Sequence, residues 1–493
     1  MAGRKQEKLT LYFIKKQTMV IAETEEETIQ QHEQTPLTKI SIMSNGTRGD
    51  FQPFLAAAIE LKAAGYHVQM LSNSTHQAFA EEFNIEFVNV YPCFNKRIKE
   101  SKEMSDAMAN GDLMKFFDAL KLYTKQDAHD VCHAFIKEMK ENKPDLLLEG
   151  TLSDYFGAYA KHVLSVPTMK LRLQTFLFNA ERAPMGLPTL PNGGHFDIMK
   201  NIVSDMYDSW AVNDAVMESM GHPRLSDVYP KTVYMEDTGR ALRGEGKGKK
   251  IICQSTLFKD IIAPHASDKI AFVGPCIIDA KQQTEHGNNF GGGIASKRIE
   301  AFLNDQPESK PVYCGWGSMI CKSPQFMVEF VVKSIQISGE RGIVLGGVAN
   351  LSLELLKQST SDNDLIAYAE KNILFVEKIS HENVFPCVKC IIHHGGAGTT
   401  NAALRSGVPS IITPVFTDQF DHAHILNVLG IGIGFSTQLQ QITPEELGET
   451  IMTVVESSEM RHRAKKIQTK VIQENGKKGV VVEIQNYWAS IIS

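Results

Sequence analysis

A chain of 493 residues is longer than one ordinary hydrophobic core organises, and 43% hydrophobic with 22% charged residues is a globular composition, so two domains are expected. A formal net charge of −6 supplies no basic surplus for a nucleic-acid partner. Eight cysteines without a regular framework fit reduced thiols better than a disulfide scaffold, and no apolar run reaches a signal peptide or the roughly 20 residues of a membrane span. The expected place is the cytoplasm, with residues 1–38 a polar, disordered tail.

After that tail, KISIMS (39–44) reads as a strand, NGTRGD as a turn, and FQPFLAAAIELKAAG as a helix with apolar residues at 51, 54, 55 and 58 on one face. Asp50 stands where an N-cap is favoured for a helix starting at Phe51. Gly65 ends that helix and YHVQMLS begins another strand. Similar alternation follows in PDLLLEG (144–150), YFGAYAKHVL (155–164) and PTMKLRL (167–173), which implies a parallel sheet covered by helices. After KIAFVGP (269–275) the chain turns polar and glycine-rich, and 275–296 is expected to be an interdomain linker. The rhythm then restarts with PVYCGWGS, PQFMVEFVVKSIQI, RGIVLGG, NILFVEK and KCIIHH. The expected fold is α/β: two facing Rossmann-like doubly wound domains, 39–274 and 297–493, with the final helices packing back on the N-terminal one. Ligands of such sheets bind beyond the C-terminal strand ends, so the site is expected in the interdomain cleft.

The stretch IIHHGGAGTTNAALRSGVPSIITPVFTDQFDHA (391–423) carries the richest chemistry. A strand ends at His393, Gly395 to Gly398 allow a tight turn, and a helix starts near Thr399. A helix N-terminus offers unpaired N–H groups and partial positive charge, and glycines let an anion approach them. The loop is neither a Walker A sequence nor G-x-G-x-x-G. A turn shaped only for packing accounts for the glycines as well. Asp418 and Gln419, just past the strand IITPV on the same edge, suit the vicinal hydroxyls of a sugar. A phosphate site and a hydroxyl site on one rim suggest a sugar nucleotide.

This stretch resembles the donor signature of the family 1 glycosyltransferases, and HHGGAGTT with the following DQ resembles their sterol and antibiotic branches. NGTRGDFQPF (45–54) and PVYCGWGSM (311–319) resemble the same branch, so the likeness covers roughly 39–490. It implies a GT-B fold, inversion at the anomeric carbon, and a UDP-sugar, usually UDP-glucose, as a substrate held mainly by the C-terminal domain. By position, Asp50 would be the general base, with Thr47 and Arg48 beside the donor. His394, Gly396, Gly398, Thr399 and Ser318 would lie at the phosphates, Asp418 and Gln419 on the sugar, and Ile379 against the base. EKISHENVF (377–385) lacks the tryptophan that plant members place on uracil. LRLQTFLFNAERAPMG (171–186) does not reproduce the acceptor segment associated with sterol enzymes.

Inverting transfer needs a carboxylate to take the acceptor proton, and a helix N-terminus with an imidazole to meet the leaving charge, so neither a metal nor a cofactor is expected. His393 is expected to be structural. Cys387-x-x-Cys390 followed by two histidines lacks a second cysteine pair for zinc, and Asp362-Asn363-Asp364 reads better as turn chemistry than as a metal-binding D-x-D. RALRGEGKGKK (240–250) suits transient contact with an anionic membrane surface, or a solvated loop. Met104, Met108, Met114, Phe116, Phe117, Phe176, Phe178 and Met185 suggest an apolar acceptor groove, or ordinary core. The expected partners are a UDP-sugar donor and a lipophilic hydroxyl acceptor, a sterol or a phenolic or polyketide compound. A catalytically silent nucleotide-sugar or lipid binder is the rival, and an epimerase of similar build would need no acceptor groove.

Overall fold

The computed structural model describes residues 36–173, 204–242, 250–262, 270–286, 289–292, 294–415 and 418–492. Two wholly parallel sheets organise them. The first has the order β3-β2-β1-β4-β5-β6-β7, from β1 (Lys39–Met43), β2 (His67–Asn73), β3 (Glu86–Tyr91), β4 (Leu146–Glu149), β5 (Thr168–Arg172), β6 (Lys250–Ile252) and β7 (Ile270–Phe272). The second has the order β10-β9-β8-β11-β12-β13, from β8 (Val312–Gly315), β9 (Gly342–Leu345), β10 (Ile373–Val376), β11 (Cys390–His393), β12 (Ser410–Ile412) and β13 (Gly432–Gly434). Strand order reverses beside β1 in one sheet and beside β8 in the other. Loops leaving those strands diverge, which opens a crevice at each switch point.

The helices that matter for the site are α1 (Arg48–Ala63), α2 (Lys102–Ala109), α3 (Leu113–Glu141), α4 (Asp154–His162), α5 (Ala397–Ser406), α6 (Gln419–Leu429) and α7 (Gly476–Ile492). α1 follows β1 and buries Phe51, Phe54, Leu55 and Ala58, the stripe its sequence spacing predicts. Its N-cap is Thr47, one turn earlier than expected, so Asp50 occupies the third helical position and is not the N-cap. The reason is that Gly46 supplies the turn at φ +130°, which frees the chain to coil from Arg48 onward.

Among the contacts that join the halves, two are extensive hydrophobic layers. α7 carries Val480, Ile484 and Trp488 into the cluster formed by Ile40, Phe54 and Leu61 of the first sheet and α1. On the other side, Phe94, Ile98, Met104 and Met108 pack with Val312, Trp316, Leu439 and Ile442 of the second half. Hydrogen bonds to backbone carbonyls seal this contact: Lys322 N–H donates to Ala109 O at 2.8 Å, and the Gln438 side-chain Nε2 donates to Gly111 O at 2.9 Å.

The expected linker is more firmly held than its composition suggests. Asp279 and Gln282 form a reciprocal cap on a short helix, Ile278 and Phe290 are buried, and Ser380 Oγ donates to Gln283 Oε1 at 2.7 Å. Of the expected tail only 36–38 are described, and there Thr38 donates to Asp145 from both N and Oγ1 at 2.9 Å. Residues 243–249 of the basic run lie outside the described residues. No helix among the described residues is long and apolar enough to cross a membrane.

Candidate active site

The loop after β1 is braced from several directions. Asn45 N–H donates to Thr151 O at 2.8 Å, Asn73 Nδ2 donates to Asn45 Oδ1 and to Gly46 O at 3.0 Å each, and His76 Nε2 lies 3.2 Å from the same Gly46 carbonyl. His76 stacks on Phe51 with ring centroids 4.4 Å apart, and burial lowers its pKa to about 4, so it is a neutral donor. On this frame Asp50 folds back over its own helix end, where Oδ2 accepts from Thr47 N at 2.9 Å and from Thr47 Oγ1 at 3.1 Å. Burial pushes the Asp50 carboxyl up to about 6; the Thr47 and Thr151 bonds oppose this, and the Asp418 carboxylate adds to it. Asp418, from the second half, is thus near enough to act on the Asp50 carboxyl.

Arg48 is less open than its position in the motif suggests. Its guanidinium lies 5.0 Å from the Phe79 ring centroid and 4.8 Å from that of Phe290, while Nη1 donates to Asn289 O at 2.6 Å and Nε to Gln52 Oε1 at 2.9 Å. It fastens α1 to the segment between the two sheets.

Facing this loop is the turn between β11 and α5. His393 is fully buried, and its Nδ1 accepts from Gly395 N–H at 3.1 Å, which makes it a strut for the turn. His394 is partly buried, and burial is the main cause that lowers it to about 4, so near neutral pH it is an uncharged imidazole. Gly395 has φ +93°, and a Cβ there would stand 2.8 Å from Ile412. At Gly396, the α5 N-cap, a Cβ would stand 2.4 Å from His394 Nε2, so this glycine is what lets the imidazole lie over the helix end. Gly398 differs: a Cβ there would meet nothing within 4 Å, so no packing demands the glycine and open space lies over the first turn. Of the two threonines, Thr400 is buried and donates to Gly396 O at 3.0 Å, while Thr399 stays partly exposed. Ser318 stands in the turn after β8, closed by Met319 N–H on Trp316 O at 3.0 Å, and the Cβ that a residue other than glycine would bring to 317 would lie 3.4 Å from His394 Cε1. These loops share one rim.

Asp418 stands at the N-cap position of α6, makes no side-chain cap bond to that helix, and is 8% exposed. Gln419 is buried, its Oε1 accepting from Val415 N–H at 2.7 Å and its Nε2 lying 3.6 Å from Met319 Sδ, so its amide ties the start of α6 to Val415. Ile379, expected against the base, is 7% exposed and packs with Tyr313, Ile343 and Phe385, so its side chain belongs to the core. The D-x-D motif is a helix cap, in which Asp362 accepts from Leu365 N–H at 3.0 Å. Cys390 is buried in β11 and Cys387 donates to Asn383 O at 3.6 Å; among the described residues no group of three or more His, Cys, Asp or Glu is placed to hold a metal.

Gln254 escaped the sequence reading. From the end of β6 it donates to Leu173 O at 2.6 Å, accepts from Asn401 Nδ2 of α5 at 2.8 Å, and lies 3.5 Å from His422 Nε2 of α6. His422 Nδ1 in turn lies 2.5 Å from Gly395 O. A buried polar chain thus runs from the first sheet to the glycine turn of the second.

Comparison with solved structures decides what this architecture is. The glycosyltransferase of kitacinnamycin superposes with a TM-score of 0.59 over 91% of this chain and 100% of its own, at 17% identity. CalG4, the calicheamicin glycosyltransferase, gives 0.58 over 92% and 98%, at 16% identity. The fold is GT-B. Two family descriptions cover parts of this GT-B chain: the glycosyltransferase family 28 N-terminal domain over residues 40–133, and the erythromycin biosynthesis protein CIII-like C-terminal domain over 343–486. It is similar to the sterol 3-beta-glucosyltransferase of Saccharomyces cerevisiae, 24% identical over 91% of this chain and 35% of that protein. UDP-sugar-dependent glycosyltransferase 52 of Dictyostelium discoideum is 22% identical over 91% and 26%, and sterol 3-beta-glucosyltransferase UGT80B1 of Arabidopsis thaliana is 24% identical over 84% and 63%. The chain therefore spans about a third or less of the length of the first two relatives.

In the N-terminal half of the GT-B frame an apolar cavity opens between β3, α3 and α4, walled by Phe94, Met104, Phe117, Leu120, Phe156 and Trp210. It reaches Asn45, whose N–H donates to Thr151 O, and Leu152, the residue after Thr151. Of the residues expected to form an acceptor groove, Met104, Met114 and Phe117 line this cavity. Met108 and Phe116 do not line it; Met108 is buried in, and Phe116 packs against, the cluster that joins the halves, and Phe176, Phe178 and Met185 lie outside the described residues.

Proposed function

We propose that this chain moves a hexose, glucose from UDP-glucose first of all, to the hydroxyl of a sterol or other lipophilic alcohol, with inversion and without a metal. One observation carries the reading: a buried carboxylate, Asp50, on a helix packed against a second helix whose N-terminal glycine turn leaves open space, with an apolar cavity that reaches Asn45 of the loop leading to Asp50. Asp50 takes the acceptor O–H proton as the oxygen bonds to the anomeric carbon and the bond from that carbon to the diphosphate breaks on the opposite face. A carboxyl near 6 is ionised at neutral pH yet basic enough for that transfer. The leaving diphosphate meets the N–H groups of α5 and the His394 imidazole, which contributes a hydrogen bond and not a full positive charge. Asp418 and Gln419 bound the space left for the sugar.

The sterol acceptor draws support from the relatives named sterol 3-beta-glucosyltransferase and from the apolar cavity. Burying about 300 Å² of apolar ligand surface at roughly 25 cal/mol per Å² contributes about 7 kcal/mol before ordering costs, enough for one polar contact to set orientation. Incubation with a panel of UDP-sugars and lipophilic alcohols, read by product mass, is the test. Sterol alcohols should be glucosylated faster than small phenols at equal concentration. The reverse ranking moves the acceptor to phenolic or polyketide compounds, and UDP-glucose binding without any product favours the silent binder.

A further inference from the structure

The acceptor cavity contains a polar atom that its own walls leave unsatisfied. Tyr91, at the end of β3 and 6% exposed, lines the cavity, and its hydroxyl is buried with no hydrogen-bonding partner among the described residues. Other polar groups of the wall are matched. Arg97 pairs with Asp127, Asp154 with Arg172 at 2.8 Å and Lys170 at 3.2 Å, and Tyr155 Oη donates to Asp214 at 2.9 Å. A buried hydroxyl without a partner is disfavoured, and in a binding cavity the missing partner arrives with the ligand. Burial, with Asp154, Cys132 and Glu149 nearby, pushes the Tyr91 phenol well above 10, so it is an O–H donor. Glu149 and Asp154 are both matched by Lys170 and Arg172, so the wall offers an anionic ligand group no unpaired cation, and a neutral oxygen is the fitting partner.

We propose that Tyr91 sets acceptor specificity by donating a hydrogen bond to a second, neutral oxygen of the acceptor, a ketone or hydroxyl apart from the one glycosylated. The inference rests on the reading of this cavity as the acceptor site and narrows the substrate class to lipophilic alcohols carrying two oxygen functions.

The test uses two steroid alcohols identical except for a ketone on the five-membered ring, with dissociation constants from calorimetry and kcat/KM from product mass. The parent protein should favour the ketone about tenfold in both measures, a ratio of the size one buried hydrogen bond produces. Tyr91→Phe should erase that preference while leaving the ketone-free alcohol within about twofold, and its melting temperature should match or exceed the parent's because an unsatisfied group is gone. A preference that survives Tyr91→Phe overturns this inference alone. Failure of both alcohols to bind, with UDP-glucose still bound, overturns the lipophilic-acceptor reading and this inference with it.

Discussion

A Cβ on Gly46 would stand 2.5 Å from Asp50 Oδ2, so the carboxylate occupies space that only glycine leaves open. With φ +130° at the same residue, Gly46→Ala strains the turn and displaces the carboxylate together. Transfer by Gly46→Ala should fall about as far as transfer by Asp50→Asn, by about 10² or more, with helix content retained by circular dichroism. Near-normal turnover of Asp50→Asn with an alcohol acceptor would remove Asp50 from the role of base.

The position of Asp50 near 6 fixes the pH dependence of the reaction. The working form is ionised, so kcat/KM should rise with pH through about 6 and level off above it. Asp418→Asn removes a neighbouring negative charge and should move that limb to lower pH; an unmoved limb would mean that the two carboxylates do not interact. For stability the sign is opposite. A carboxyl raised from 3.8 binds its proton better in the folded state, so its contribution is present below that value and is lost as pH rises through about 6. Thermal melts should therefore find Asp50→Asn at least as stable as the parent at pH 7.

Gly398 separates packing from binding. Ala fits without contact and favours the helix by roughly 0.5–1 kcal/mol, so Gly398→Ala should melt no lower than the parent. If the diphosphate fills that space, the added methyl should weaken UDP binding at least tenfold in calorimetry. Unchanged UDP affinity would place the phosphates elsewhere. His394→Ala, by contrast, should lower both donor affinity and kcat, since charge on the leaving group grows toward the transition state.

Much of this was readable along the chain, and the exceptions share a cause. The alternation of elements, the α1 stripe and the glycine turn follow from local residue patterns, and so does the rim on which they meet. What was not readable depends on residues far apart in sequence. Gln254 joins Asn401 across 147 positions, and nothing in ICQST marks it as polar core. Ile379 became core because Tyr313 and Phe385 close around it, and the linker is anchored because Ser380 reaches Gln283. Asp50 shifted from cap to third position because the turn before it is tighter than its composition required.

Gln419 should report on the loop before α6. Gln419→Ala leaves the buried Val415 N–H without its acceptor, a loss of about 1–3 kcal/mol that urea unfolding should detect, and it should also alter discrimination between UDP-glucose and UDP-galactose. Asp418→Ala should alter that discrimination as well while UDP affinity holds. Equal losses of UDP binding in His394→Ala, Asp418→Ala and Gln419→Ala would contradict the division into phosphate and sugar roles.

The last helix sets a rule for recombining this scaffold. Although α7 follows the second sheet in the chain, Val480, Ile484 and Trp488 complete the hydrophobic layer beneath α1, the helix whose first turn holds Asp50. A chimera cut anywhere in 275–296 would set a foreign terminal helix against Ile40, Phe54 and Leu61, and a mismatch there would be felt at the carboxylate. Exchanging donor halves between relatives while keeping acceptor chemistry therefore requires two crossovers, the second just before Gly476, so that 476–492 travels with the half it packs on.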